Sequence, residues 1–308
     1  MKILVTGGAG FIGSHLCERL LVDGHEVICA DNLGSGKKDN IKHLLYSPKF
    51  KFLECDISEY PQISGTIDQI YIFASRASPI DFSEHPIEIM KANSFGTYNM
   101  LRLARKHHAK MLFASTSEIY GDPLEHPQKE TYWGNVNSVG IRGCYDESKR
   151  FGEALCMSFH RKYLVDVKIA RIFNTYGERM SNDCRVVIAF IKQALKNEPL
   201  TVYGNGRQTR SFCHVSDLVD GLIKLMNSNY NEPFNLGSPH ENTVLEIADI
   251  IKKLTGSKSE IVFCPLPQDD PKKRNPDITK AKEKLGWEPK IKLEDGLQRT
   301  IKWFKEKS

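Results

Sequence analysis

The chain has 308 residues, of which 40% are hydrophobic and 26% charged, and a formal net charge of +5 at pH 7. That composition fits a globular protein with a sizeable core and excludes a disordered or fibrous chain. No apolar run reaches membrane-spanning length, the N-terminus lacks a basic-then-apolar leader profile, and the basic residues form no dense patch of the kind nucleic acid requires. A cytosolic location is therefore expected, with neither membrane nor nucleic acid as partner. The eight cysteines are scattered without a closely spaced pair, so reduced thiols are expected and no metal site.

In chain order, short β-branched runs alternate with amphipathic stretches. Residues 3–6 predict a strand that runs into Gly7-Gly8-Ala9-Gly10-Phe11-Ile12-Gly13, and 12–23 a helix. Further strands are predicted over 26–30, 50–55, 69–74, 110–115 and 166–171, with helices over 86–107 and 145–163. Such alternation predicts an α/β fold, a Rossmann-type doubly wound parallel sheet. After residue 171 the rhythm changes: turn-rich segments 174–183 and 203–207 interrupt helices 186–196 and 244–254, and 265–276 is polar and proline-punctuated. The division expected is a dinucleotide-binding domain over 1–173 and a smaller α/β substrate-binding lobe over 174–308. A segment of about 207–229, with 211–226 its best candidate, should return to the first.

Ligands of such sheets bind beyond the carboxyl ends of the strands. The glycine turn has that position. Gly7, Gly10 and Gly13 let a pyrophosphate approach the backbone, while the helix opening at Phe11 and Ile12 offers its amides and dipole. Asp31 ends the second strand, where a carboxylate can hold both ribose hydroxyls and repel a 2′-phosphate, so NAD is favoured over NADP. Asn32, Asp56, Ile57, Ala74 and Ser75 follow later strands and complete the cofactor candidates.

Tyr145 and Lys149 are four residues apart, which puts both on one helix face. A lysine ammonium beside a phenol favours phenolate, and such a tyrosine can take a hydroxyl proton while a hydride leaves. With the glycine turn upstream and Ser115-Thr116-Ser117-Glu118 at a strand end, this order resembles the short-chain dehydrogenase/reductase superfamily. The resemblance narrows over ASTSEIYG (114–121), Asp122-Pro123, His126-Pro127-Gln128, Glu130, Tyr132-Trp133-Gly134, Val136-Asn137 and 144–150. It continues through ARIFNTYG (170–177), Asn182-Asp183, Arg185-Val186-Val187, 199–204, Gln208-Thr209-Arg210, Asp269-Asp270-Pro271, Arg274 and Pro276-Asp277. Over nearly the whole chain it resembles the UDP-glucuronate decarboxylases (UDP-xylose synthases).

That resemblance implies NAD-dependent conversion of UDP-glucuronate to UDP-xylose through a 4-keto sugar, with NAD regenerated. It assigns Tyr145 as the acid/base at C4, Lys149 as its tuner and a ribose ligand, and Thr116 as a hydrogen-bond partner of the C4 oxygen. Ser117, Glu118 and Arg274 go to the sugar and the C5 chemistry. Lys91, Asn93, Asn174, Arg185, Tyr203, Arg210 and Arg274 go to substrate binding. A homodimer through helices 86–107 and 145–163 is also implied.

Two neighbouring enzyme activities use the same tyrosine, a 4-epimerase and a 4,6-dehydratase; the latter would carry Asp-Glu where this chain has Ser117-Glu118. A non-catalytic nucleotide-sugar-binding protein is the reading from another class, against which the intact Thr116, Tyr145 and Lys149 argue. The chain departs from the family pattern at Arg76, where proline is usual beside the expected nicotinamide and pyrophosphate, and at Phe82, where tyrosine is usual. Arg76 could bind the sugar carboxylate, contact a phosphate or point to solvent.

Overall fold

A computed structural model describes residues 1–181, 185–265 and 274–307. Its elements run β1 (Lys2–Thr6), α1 (Phe11–Val22), β2 (Glu26–Asp31), β3 (Phe50–Glu54), β4 (Gln69–Ile72), α2 (Pro79–Glu84), α3 (Pro86–Lys91), α4 (Thr97–His107), β5 (Lys110–Thr116), α5 (Gly143–Tyr163) and β6 (Val167–Ile172). They continue with β7 (Thr175–Tyr176), α6 (Val186–Lys196), β8 (Leu200–Tyr203), β9 (Thr209–Ser211), β10 (Cys213–His214), α7 (Val215–Asn227), β11 (Pro233–Leu236), β12 (Glu241–Thr243), α8 (Val244–Thr255), β13 (Ile261–Cys264), α9 (Thr279–Leu285) and α10 (Leu293–Lys307).

Seven strands form the main sheet in the order β11-β6-β5-β4-β1-β2-β3. β1 pairs in parallel with β2 on one side and with β4 on the other. The strand order therefore reverses beside β1, and the loops after β1 and β4 flank the switch point where such sheets bind ligands. The strands are apolar on both faces because helices cover both: all four residues of β4 are buried, as are Ile3 to Thr6 of β1. On one face Ile70, Ile72, Met111, Phe113 and Ile169 pack with Met100, Leu101, Cys156 and Phe159 from α4 and α5.

The chain forms two compact units, Met1–Ile119 with Asn137–Arg171 and Leu222–Phe234, and Tyr120–Val136 with Ile172–Gly221 and Asn235–Ser308. Two differences from the sequence-based division have physical causes. Tyr120–Val136 joins the second unit because Gln128 N–H donates to Asn275 O, Asp277 N–H donates to Gln128 O, and Gln128 bridges in parallel to Pro276. The segment returning to the first unit is Leu222–Phe234, and its last part, in β11, adds an edge strand to the sheet that the short run Pro233–Leu236 did not announce.

The helix expected over 86–107 is interrupted. Ala92–Gly96 widens into a π-turn between α3 and α4. Two inward contacts accompany it: Asn93 is buried at 1% exposure, and a Cβ on Gly96 would meet Ile57 Cδ1 at 2.7 Å. Such insertions are enriched at functional sites. The seven described cysteines are free thiols.

Candidate active site

The first unit brings two sets of residues to the carboxyl edge of its sheet. At β1 the turn closes on itself, with Gly10 N–H donating to Gly7 O at 3.1 Å. Gly7 sits at φ +68°, and a Cβ there would lie 2.6 Å from Ala74 N; one on Gly13 would lie 2.2 Å from Gly7 O. Only bare backbone lets α1 and the β4 loop approach this closely. α1 starts at Gly10 with no side-chain cap and no acid in its first turn. Helix geometry leaves the amides of Phe11, Ile12 and Gly13 without an intrahelical acceptor. This donor set fits the pyrophosphate of a dinucleotide.

Asp31 is 7% exposed, and its carboxylate accepts from Ala9 N–H at 3.0 Å and Leu33 N–H at 2.8 Å. Burial raises its pKa against those two bonds. Each oxygen keeps a second lone pair for a ribose hydroxyl. Asn32 donates to Asp56 at 3.1 Å. Burial works against Asp56, yet bonds from Ser58 and Asn32 and the charge of Lys91 hold its carboxyl below the usual range. Ile57 is buried with its carbonyl accepting from Asn99, and Ala74 N–H reaches Thr6 Oγ1 at 3.4 Å. These residues fit NAD: a backbone seat for phosphates, then an acid at the next strand end.

The second set stands where α5 crosses the end of β5. Lys149 is buried, donates to Ala114 O at 2.8 Å and lies 5.7 Å from the Tyr145 ring centre. Burial pushes its ammonium down to about 7. Tyr145, also buried, stacks on Phe82 at 5.1 Å between ring centres. The missing phenol hydroxyl at residue 82 thus leaves a purely apolar plate under the tyrosine. Thr116 and Ser117 are buried at the end of β5 and the start of the following turn, and Thr116 Oγ1 accepts from Glu118 N–H at 3.2 Å.

Glu118 forms a close ion pair with Arg142, which is also 3.9 Å from Asp146 and 5.3 Å from the Phe82 ring centre. Arg142 is a site residue the sequence reading missed. Its signal is faint: four residues before Asp146, it shares a helix face with an acid, but nothing in the spacing points to Glu118. Asn93 behaves differently from a residue displayed to a sugar, since its amide donates to Ser75 Oγ at 3.1 Å and Ser148 Oγ at 3.0 Å. Its carbonyl oxygen is the part left for a ligand. Lys91, expected to face the sugar, is exposed at the end of α3 and close enough to lower the Asp56 pKa.

In the second unit Asn174 carries a buried amide nitrogen without a hydrogen-bond partner, the mark of a group built for something else. Arg185 caps α6 and donates to Ser181 Oγ at 3.3 Å; Tyr203 is half-exposed at the end of β8. Arg210 bonds its neighbour's carbonyl, Thr209 O, at 2.9 Å. Arg274 is buried at 6% exposure, and its carbonyl accepts from Ser211 Oγ at 3.4 Å. Its neighbour Asn275 is clamped from two sides, donating its N–H to Gln128 Oε1 at 2.8 Å and its amide to Glu241 at 3.4 Å. Gln128 is fully buried, so the segment His126-Pro127-Gln128 serves to fix the backbone that carries Arg274. The Asn182-Asp183 and Asp269-Asp270-Pro271 motifs lie outside the described residues.

A family model described as GDP-mannose 4,6 dehydratase matches residues 4–300. UDP-glucuronic acid decarboxylase 1 of Danio rerio is 54% identical over 304 residues, which cover 98% of this chain and 72% of that protein. UDP-glucuronic acid decarboxylase 1 of Arabidopsis thaliana is 52% identical over 308 residues, 100% of this chain and 70% of that one. Among solved structures, UDP-glucuronic acid 4-epimerase from Bacillus cereus in complex with UDP-glucuronic acid and NAD is 29% identical with a TM-score of 0.90, covering 100% of each chain. UDP-glucose 4-epimerase from Thermotoga maritima with UDP-glucose is 32% identical with a TM-score of 0.90, covering 100% of this chain and 99% of the other. Fold and site together define an NAD-dependent enzyme of the extended short-chain dehydrogenase/reductase class. Within that class the chain belongs to the family of the UDP-glucuronic acid decarboxylases.

Proposed function

We propose that this enzyme removes the C6 carboxylate of UDP-glucuronate to give UDP-xylose, and that the set Thr116, Ser117, Glu118, Tyr145 and Lys149 does the work. The observation that carries the proposal is the placement of this set at one strand end of the unit that holds the glycine turn, in a chain more than half identical to decarboxylases over its length. Bound NAD would supply the two-electron acceptor that oxidation at C4 needs and return the hydride at the end.

Tyr145 takes the C4 hydroxyl proton and later gives it back. The Lys149 charge favours its phenolate, and the Phe82 plate fixes the plane of its ring. Thr116 hydrogen-bonds the C4 oxygen. A ketone at C4 makes the substrate a β-keto acid. The C5–carboxylate bond then breaks, carbon dioxide leaves, and the electron pair moves onto the C4 oxygen as an enolate. Glu118 organises the proton that C5 receives, and Ser117 bonds the developing enolate oxygen. Arg142 holds Glu118 through their ion pair, with its own guanidinium over the Phe82 ring. The family resemblance gives Arg274 a role on the sugar, and gives Asn174, Arg185, Tyr203 and Arg210 the holding of the nucleotide sugar. A cation bonded tightly to the carboxylate would stabilise the reactant, so Arg274 serves best through the enolate it helps to form.

Exposed apolar side chains on the helices 86–107 and 145–163, namely Ile87, Met90, Phe95, Tyr98 and Phe151, support a homodimer through that face; sedimentation of the purified protein tests it. No described helix is long and apolar enough to cross a membrane, and the free thiols fit a reducing compartment such as the cytosol. For the activity itself, UDP-glucuronate is incubated with the protein and the sugar products are followed by NMR. Appearance of a pentose is expected. Products that all retain the carboxylate, such as the C4 epimer, would reject decarboxylation in favour of epimerisation.

A further inference from the structure

Arg76 starts in the loop after β4 and ends against the loop after β2. Its Nη1 donates to Asp81 Oδ1 at 2.7 Å, and its Nη2 lies 3.3 Å from where a Cβ on Gly34 would stand. β1 lies between β4 and β2 in the sheet. A side chain that joins the loops after those two strands therefore passes in front of the glycine turn that follows β1. Strands are spaced by about 4.8 Å, so the gap is about two strand widths, which a long side chain meeting a bare glycine can close.

Both ends of the span are fixed. Asp81 accepts from Ser78 Oγ at 2.8 Å in the first turn of α2. Gly34 N–H donates to Asn32 Oδ1 at 3.0 Å, and Asn32 donates to Asp56 at 3.1 Å. The side chains of Arg76 and Asp81 are 24% and 16% exposed, which lifts the pair above the near-zero value of a fully solvated one. The guanidinium has five donors, of which the Asp81 bond commits one.

We propose that Arg76, held by Asp81, is a clasp on the dinucleotide: its remaining donors bond the pyrophosphate seated on the amides of Phe11, Ile12 and Gly13. The first turn of α1 offers backbone amides and no side-chain charge, its one hydroxyl, Ser14, being bonded to Phe11 O. Arg76 would add that charge from the opposite side, in the planar geometry suited to two phosphate oxygens. Asp81 sets the direction of the arm and offsets its charge before the phosphates arrive. The consequence is slow cofactor release, which suits an enzyme that oxidises and reduces the same sugar in one cycle. The clasp shares only its dinucleotide with the proposed function and stands whether the sugar product is a pentose or an epimer.

The test measures binding of NAD, ADP-ribose and adenosine by calorimetry, and NAD release by rapid dilution. Arg76→Ala is expected to weaken NAD and ADP-ribose about 10-fold or more and to speed release by a similar factor, in line with a charged hydrogen bond. Adenosine, which carries no phosphate, should bind as in the wild type. Arg76→Lys should fall between, and Asp81→Asn should lose less than Arg76→Ala. Unchanged ADP-ribose affinity overturns the proposal, and so does an equal loss for adenosine, which would mean a disturbed pocket. Should the alanine variant unfold early in a melt, Arg76→Gln answers the same question.

Discussion

The two ends of the first unit's site are built from different materials. At the glycine turn almost everything is backbone: amides, tight glycine contacts and one carboxylate that bonds two N–H groups. At the end of β5 the site is made of charged side chains, Lys149 buried against a carbonyl and Glu118 half-buried against Arg142, whose guanidinium lies over an aromatic plate. Backbone sites tolerate little change in volume and are nearly indifferent to pH. Side-chain sites tolerate changes in volume better but respond to any change in charge. The comparison says which perturbation should break which end.

The largest effect is expected at the side-chain end. Tyr145→Phe should lower kcat by about 10²- to 10⁴-fold through loss of the acid/base, while melting and NAD binding stay near wild type because the ring keeps its stack on Phe82. Near-normal turnover would remove Tyr145 from its role. At the backbone end Gly13→Ala forces a methyl to within 2.2 Å of Gly7 O. The turn must open, at a cost of about 1–3 kcal/mol in stability with a matching loss of NAD affinity; an unchanged affinity at pH 6 and pH 9 alike would show that the contact is not needed.

pH separates the ends further. Lys149 is held at about 7 by burial, against 10.5 for the free side chain. Between those values the unfolded chain binds more protons than the folded one, so stability rises with pH across that window. Lys149→Met lacks this titration. Urea unfolding of the cofactor-free proteins should show the variant more stable than wild type at pH 6.5, with the advantage shrinking by about 2–3 kcal/mol at pH 9. A constant difference would deny that the lysine is buried without a counter-charge.

The smallest effect concerns the ion pair. Arg142→Gln and Glu118→Gln should each cost activity, and the double variant less than their product, with a coupling of about 1–2 kcal/mol in kcat/KM. Strict additivity would mean that Arg142 does not act through Glu118.

The same contrast explains how much could be read from the sequence. The cofactor end was legible because its requirements are local: a strand, small residues at fixed spacing, a helix start and an acid about one βα unit later. Tyr145 and Lys149 were legible for the same reason, being one turn apart. Arg142 was not, because its partner Glu118 is 24 residues away across a turn-rich segment. The π-turn at Ala92–Gly96 was invisible to periodicity, since it adds a residue inside a helical pattern. Asn93 was identified as a site residue, but its bonds to Ser75 and Ser148 depend on three separate elements meeting. β11 is too short to announce itself and earns its place by completing the sheet.

The central claim is that one site oxidises C4, releases the carboxylate, protonates C5 and restores C4. Turnover of UDP-[6-¹³C]glucuronate in deuterium oxide tests all four together. The account predicts that the label leaves as carbon dioxide and bicarbonate, that the UDP-xylose formed carries one deuterium at C5, and that C4 keeps its original hydrogen. Label retained in the sugar, or deuterium at C4, would contradict it.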